Sequence, residues 1–181
     1  MTLTPRLRKL VRTAHVTFTL GWLGAVVGFL VLAIAGLTSQ DARIVSAVYP
    51  AMALIFRIVI LPFSFVPLLL TGPLLSIGTP WGLFRHYWIV AKLLITILST
   101  LLLQMHLPIV NYLSDVATAG TLSSADFGIQ RQMVIISVAA LVVLLVATGL
   151  SIFKPQGLTP YGRHKQQEKV FQTHERPLDK L

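Results

Sequence analysis

The residues able to do chemistry inside the apolar blocks of this chain are few: His15, Arg57, Lys92, Gln104 and His106, with Thr and Ser on the first and third blocks. Ionisable groups are expensive in hydrocarbon, so each needs a function or a partner. Imidazole is the usual axial ligand of a b-type haem, a site that takes one His from each of two facing helices at matched depth. His15 enters the first block from the same side on which His86 opens the third, so these two are the candidate metal-ligating pair. His106 lies about 30 Å farther along the helix axis than His86 and cannot join them. At 100° per residue, Lys92, Thr96, Ser99 and His106 fall within about 40° of one line, a polar stripe suited to the bundle interior or to hydrogen bonding between helices.

Arg57 is the most demanding of these residues. It falls near the middle of the second block, and all six acidic residues lie outside the blocks, so no intramembrane carboxylate meets it or Lys92. Two cations without an internal anion point to an anion from elsewhere: a lipid phosphate, haem propionates or an acidic substrate. The alternatives are solvation by the carbonyls of Ile58 and Phe63, which Pro62 and Pro67 leave without a donor, or snorkelling to a surface. The spans hold no carboxylate pair and no hydroxyl, base and acid constellation, so chemistry here would need a bound redox cofactor. With no cysteine, thiolate metal sites and disulfides are excluded.

Helices long enough to cross a bilayer must position these groups. The chain has 181 residues, 55% hydrophobic and only 12% charged, about half the charge of a soluble domain. The apolar residues form four uninterrupted blocks, 14–37, 45–75, 87–107 and 132–153, each long enough to span. The fold class read from this is all-α, an integral membrane four-helix bundle. The second block is over-long and contains Pro50, Pro62 and Pro67, which predicts a kink. An Ala33-Ile34-Ala35 triplet imitates a signal-peptidase site, but its apolar run exceeds a signal-peptide core, so the first block is read as a retained span.

Arg6, Arg8, Lys9 and Arg12 precede the first block, Arg85 lies between the second and third, and Lys154, Arg163, Lys165, Lys169, Arg176 and Lys180 follow the fourth. Only Arg43 and Arg131 fall on the other side, which places both termini (1–13 and 154–181) in the cytoplasm. The net charge of +9 then reflects attraction to anionic lipids at that face rather than to nucleic acid. Segment 108–130 is expected to hold a short interfacial helix over 109–116, and the tail to be a mostly exposed extension. On the first block His15, Thr19, Trp22, Val26, Phe29 and Ala33 share one face. Gly21, Gly24, Gly28 and Ala35 share another, whose Gly24-x-x-x-Gly28 spacing suits packing within the bundle or in a homodimer.

The segment Gly78-Thr-Pro-Trp-Gly-Leu-Phe-Arg-His-Tyr-Trp-Ile-Val-Ala-Lys-Leu-Leu, with Tyr161-Gly-Arg after a Lys154-Pro turn, resembles an uncharacterised bacterial family of four-helix integral membrane proteins in the CopD-like superfamily. His15 with Trp22, and Trp88 with Lys92, also resemble paired positions of the HemJ-type protoporphyrinogen oxidases of that superfamily, and the copper-resistance CopD branch is a further relative. The resemblance implies an inner-membrane bundle with haem-binding relatives, His15 as a haem ligand, and Trp22, Trp88 and Lys92 around it. The chain departs from the HemJ type in its long outer loop, its basic tail and Arg57. It lacks the Met and His clusters of Cu(I) sites. The leading expectation is one b-type haem held by His15 and His86 near the cytoplasmic face, with a redox-linked role. The alternatives are a cofactor-free scaffold or accessory subunit of a larger membrane complex, and a lipid- or small-anion-handling protein using Arg57 and Lys92.

Overall fold

The computed structural model describes residues 4–72, 74, 84, 86–153 and 157–174. Residues 78–83 and Arg85 of the motif above, the end of the second block at Leu75, and Lys154, Pro155, Arg176 and Lys180 lie outside the described residues. Four long helices follow one another: α1 (Pro5–Thr38), α2 (Ala42–Thr71), α3 (Tyr87–Thr118) and α4 (Phe127–Phe153), with a shorter α5 (Pro160–His174) in the tail. Each of the first four is long and apolar enough to cross a membrane. Only 28, 28, 11 and 22% of their most apolar windows is buried, so most of the apolar surface faces outward, where only lipid is a good solvent for it.

Local chemistry sets the helix ends. Thr4 accepts a hydrogen bond from the Leu7 N–H at 3.4 Å with Pro5 in the first turn, and Asp41 caps α2 by accepting from the Arg43 N–H at 2.8 Å. At the end of α3 the Gly120 N–H bonds to the Ala117 carbonyl and the Thr121 N–H to the Val116 carbonyl, with Gly120 at φ 67°, a left-handed cap that glycine adopts without strain. Ser123 and Asp126 then form a capping box before α4, and the Tyr112 hydroxyl donates to Asp126 at 2.8 Å, tying α3 to α4.

The prolines of α2 are taken up by two π-helical turns, Phe56–Ile60 and Val66–Thr71, within one continuous helix. A π turn widens the backbone ladder where a proline ring would meet the carbonyl four residues earlier. The Leu61 N–H accordingly bonds to Phe56 O and the Gly72 N–H to Pro67 O. Pro108 sits inside α3 without ending it. Residues 109–116, expected as a separate interfacial helix, are instead the last turns of α3, and Val110, Leu113 and Ala117 are buried in the bundle core.

Among the described residues, α1 and α3 each pack against α2 and α4, which makes α1/α3 and α2/α4 the diagonals of an up-and-down bundle. The core centres on Trp22, Val26, Phe29 and Ala33 of α1 with Tyr49, Met52, Phe56 and Ile60 of α2. Of the two faces of α1 read from the sequence, the one through Trp22, Val26, Phe29 and Ala33 is thus the buried one. Gly36 lets the Tyr49 ring lie on the α1 backbone, where an added Cβ would come within 2.8 Å of it. Gly24 and Gly28 have nothing within 4 Å of an added Cβ, so their spacing is not used for packing among the described residues.

Candidate functional site: a polar layer at the basic end of the bundle

Each of the four spanning helices contributes one polar side chain near the end that carries the N-terminal arginines. His15 on α1 shares a 2.7 Å hydrogen bond between its Nδ1 and Thr71 Oγ1, in the last π turn of α2. Lys92, in the second turn of α3, donates from Nζ to Ser151 Oγ on α4 at 2.7 Å. The two pairs lie at the same end of the bundle, the first joining α1 to α2 and the second α3 to α4. Thr19 and Thr96 donate back to the carbonyls of His15 and Lys92, closing the backbone around both residues.

Local sequence explains the placement. Thr71 reaches the interior because the π turn rotates it inward, and the turn closes onto Gly72, where a Cβ would lie 2.5 Å from Pro67 O. Ser151 donates to Ala147 O at 2.9 Å, which turns its lone pairs toward the ammonium group. An ammonium has three donors, and one is spent on Ser151. Lys92 is half-buried, and the ion pair found among the described residues, His164 with Glu168, lies elsewhere in the tail helix. The layer therefore carries a cation, an imidazole and two hydroxyls, with no carboxylate bonded to any of them.

His15 keeps Nε2 for a further ligand, with Nδ1 held by a hydroxyl in the way that orients metal-bound imidazoles. His86 stands in extended conformation immediately before α3, bridged to Leu158, with its ring 6.4 Å from that of Trp88. It is about 9 Å of helix axis nearer the basic end than Lys92. Among the described residues no three His, Cys, Asp or Glu side chains gather as a metal cluster. Trp22 lies about 10 Å deeper than His15, its indole N–H buried without a partner among the described residues. The buried Thr100 hydroxyl of α3 also lacks one, although Thr19, Thr96, Thr118 and Thr148 all bond back to their own helices.

The stripe on α3 is divided rather than continuous. Lys92 turns to α4, His106 bonds through Nδ1 to Leu102 O of its own helix, and the fully buried hydroxyl is that of Thr100, off the expected line. Arg57 belongs to another region. Fourteen residues, about 21 Å of axis, separate it from Thr71, and the adjacent Phe56 packs on Phe29, an equal number of residues beyond His15. Its guanidinium meets the Asn111 side chain, not the carbonyls beside the prolines. Arg57 and Lys92 therefore do not form one site.

The layer is closed toward the tail by a clip that the sequence pattern did not suggest. The Tyr87 N–H bonds to Gly157 O at 3.3 Å, His86 bridges Leu158, and the Thr159 hydroxyl donates to Phe84 O at 2.6 Å. Thr159 also caps α5 by accepting from the Gly162 N–H, with Pro160 in the first turn. A Thr-Pro pair is a helix-start signal, so α5 was readable in principle. Thr71 and Ser151 lie near the ends of their blocks, and counting depth from those ends finds them. Asn111 fell in a segment read as surface, which hid it. Comparison with family models, with curated proteins and with solved structures finds no match to this chain.

Proposed function

We propose that this multi-pass protein resides in a bacterial cytoplasmic membrane, with its basic end inside, and binds an anionic, oxygen-rich ligand in the His15–Thr71–Lys92–Ser151 layer. The observation that carries this reading is Lys92, a half-buried ammonium donating to a neutral hydroxyl, with two of its three donors left over. An ammonium in a low-dielectric site is stabilised by a counter-charge, and an anion bound here would supply it. The position of the layer near the inner headgroups gives such a ligand access from the cytoplasm or from the inner leaflet.

A second reading gives the ligand a metal. His15, oriented by Thr71 and free at Nε2, fits an axial position, and the pairing of His15 with Trp22 and of Trp88 with Lys92 resembles haem-binding relatives. In that reading His15 would hold a b-type haem whose second ligand, the expected His86, stands about 9 Å nearer the basic end than Lys92, Lys92 would meet a propionate, and the haem would supply one-electron redox chemistry. The two readings share Lys92 and differ in colour.

One experiment separates them. The purified full chain is heated in detergent with inorganic phosphate, citrate, short-chain phosphatidic acid or haemin, and a reduced-minus-oxidised spectrum is recorded for the haemin sample. A ligand at a hundred times its Kd stabilises the fold by about 2.7 kcal/mol, a rise of several degrees in Tm. Lys92→Met is expected to abolish the rise. A Soret band lost in His15→Ala and kept in His106→Ala supports the haem. No rise with any of the four, and no band, would overturn both readings and leave the layer as internal packing of a scaffold.

A further inference from the structure

The far half of the bundle carries a second polar site, built around Arg57. This residue lies in the first π turn of α2, exposed on the side of the bundle between the exposed Leu54 and Ile58. Its Nε and Nη2 both donate to Asn111 Oδ1, at 3.1 and 2.6 Å. That double contact fixes the amide. With Oδ1 committed to the guanidinium, the planar Asn111 side chain must turn its NH2 group away, and a guanidinium has five N–H donors, of which two are used here. The patch formed by the two residues therefore presents donors only, with one full positive charge.

Among the described residues no carboxylate pairs with that charge. Asp126 is engaged by Tyr112 and Ser123, and Asp115, one turn beyond Asn111, makes no ion pair with Arg57. The site opens sideways, among apolar side chains that face the hydrocarbon, and about 21 Å from the layer at the basic end. In a hydrocarbon slab about 30 Å thick, that is the opposite leaflet, within a long side chain's reach of its headgroups. The anion abundant at those headgroups is the phosphodiester of a phospholipid. Its two non-bridging oxygens match a guanidinium fork, and its acyl chains would run along Ile58.

We infer that Arg57 and Asn111 form a phospholipid-phosphate site in the leaflet opposite the basic end, between α2 and α3. It is independent of the ligand at Lys92. The π turn has a role in this, because it sets Arg57 on the α3 side of the helix at the level of Asn111.

The test uses the delipidated full chain in detergent, titrated with a phosphatidylglycerol and followed by native mass spectrometry. The wild type is expected to retain one lipid through activation that strips the others, and Arg57→Met to weaken this binding about tenfold, the loss of one charge-assisted contact. Lys165→Met, exposed in α5 and outside both sites, is expected to leave it unchanged. Asn111→Asp guards against a merely structural effect: it keeps the contact with Arg57 and strengthens it, yet places a negative charge against the phosphate, so the fold persists and the lipid is lost. Lipid retained with unchanged affinity in both Arg57→Met and Asn111→Asp overturns the inference. Displacement of the bound lipid by an equal concentration of inorganic phosphate also overturns it, by assigning the site to a free anion.

Discussion

Gly36 and Gly21 show how much a single hydrogen atom decides in this bundle. A methyl group at Gly36 would lie 2.8 Å from the hydroxyl end of Tyr49, whose side chain is fully buried, and one at Gly21 would lie 2.6 Å from the Phe63 ring. The buried Tyr49 ring has no room to retreat without repacking its neighbours, whereas Phe63 is only half-buried. Gly36→Ala is therefore expected to destabilise the protein by about 1–3 kcal/mol. Gly24→Ala and Gly28→Ala, which meet nothing within 4 Å, are expected to be neutral or slightly stabilising. Thermal unfolding of the three variants in one detergent checks this, and a Gly24→Ala loss as large as that of Gly36→Ala would contradict the packing described. The sequence pattern pointed to the Gly24-x-x-x-Gly28 pair, because spacing shows which residues share a face and not which face a neighbour covers. Large apolar side chains on one line have to be buried together or exposed to lipid together, and it is the structure that buries Trp22, Val26, Phe29 and Ala33.

At the scale of elements, α2 and the tail depart furthest from the sequence pattern. Pro62 and Pro67 predicted a kink, and the helix carries π turns beside both prolines, which also place Arg57 and Thr71. Periodicity assumes 100° per residue, and each π turn adds a residue to that count, so the partners of these two side chains could not be read from angles. In the tail, Thr159 joins two structures, donating to Phe84 O and capping α5. Thr159→Val removes both contacts, and the loss of an N-cap alone costs about 1 kcal/mol. The expected result is several-fold faster tryptic cleavage at Arg163 and Lys165 in the folded protein, with the Tm of the bundle little changed. Unchanged cleavage would show that the clip does not hold α5.

For the whole molecule, orientation is the property on which the rest depends. With four spans, Thr4 and α5 lie on one side of the membrane, and in the proposed orientation the basic residues at the start of α1 and in α5 put that side in the cytoplasm under the positive-inside rule. The chain has no cysteine, so single cysteines report topology without background. Ala125→Cys, exposed in the α3–α4 connection, is expected to react with a membrane-impermeant maleimide in intact spheroplasts. Gln166→Cys, exposed in α5, is expected to react only after lysis. The reverse pattern would invert the bundle and move the Lys92 layer to the outer face.

The sequence by itself determined the four apolar helices, their all-helical class and which residues of α1 share a face. These follow from block length and 3.6-residue periodicity, quantities local to each helix. Tertiary structure alone decided which helices are diagonal, that His15 meets Thr71 and Lys92 meets Ser151, and that Arg57 and Lys92 stand at opposite ends beside different neighbours. Such pairings depend on the relative heights and rotations of separate helices. Those are set by π turns, by helix ends such as the Gly120 cap, and by close approaches such as that of Tyr49 to Gly36. None of these leaves a periodic trace in the chain.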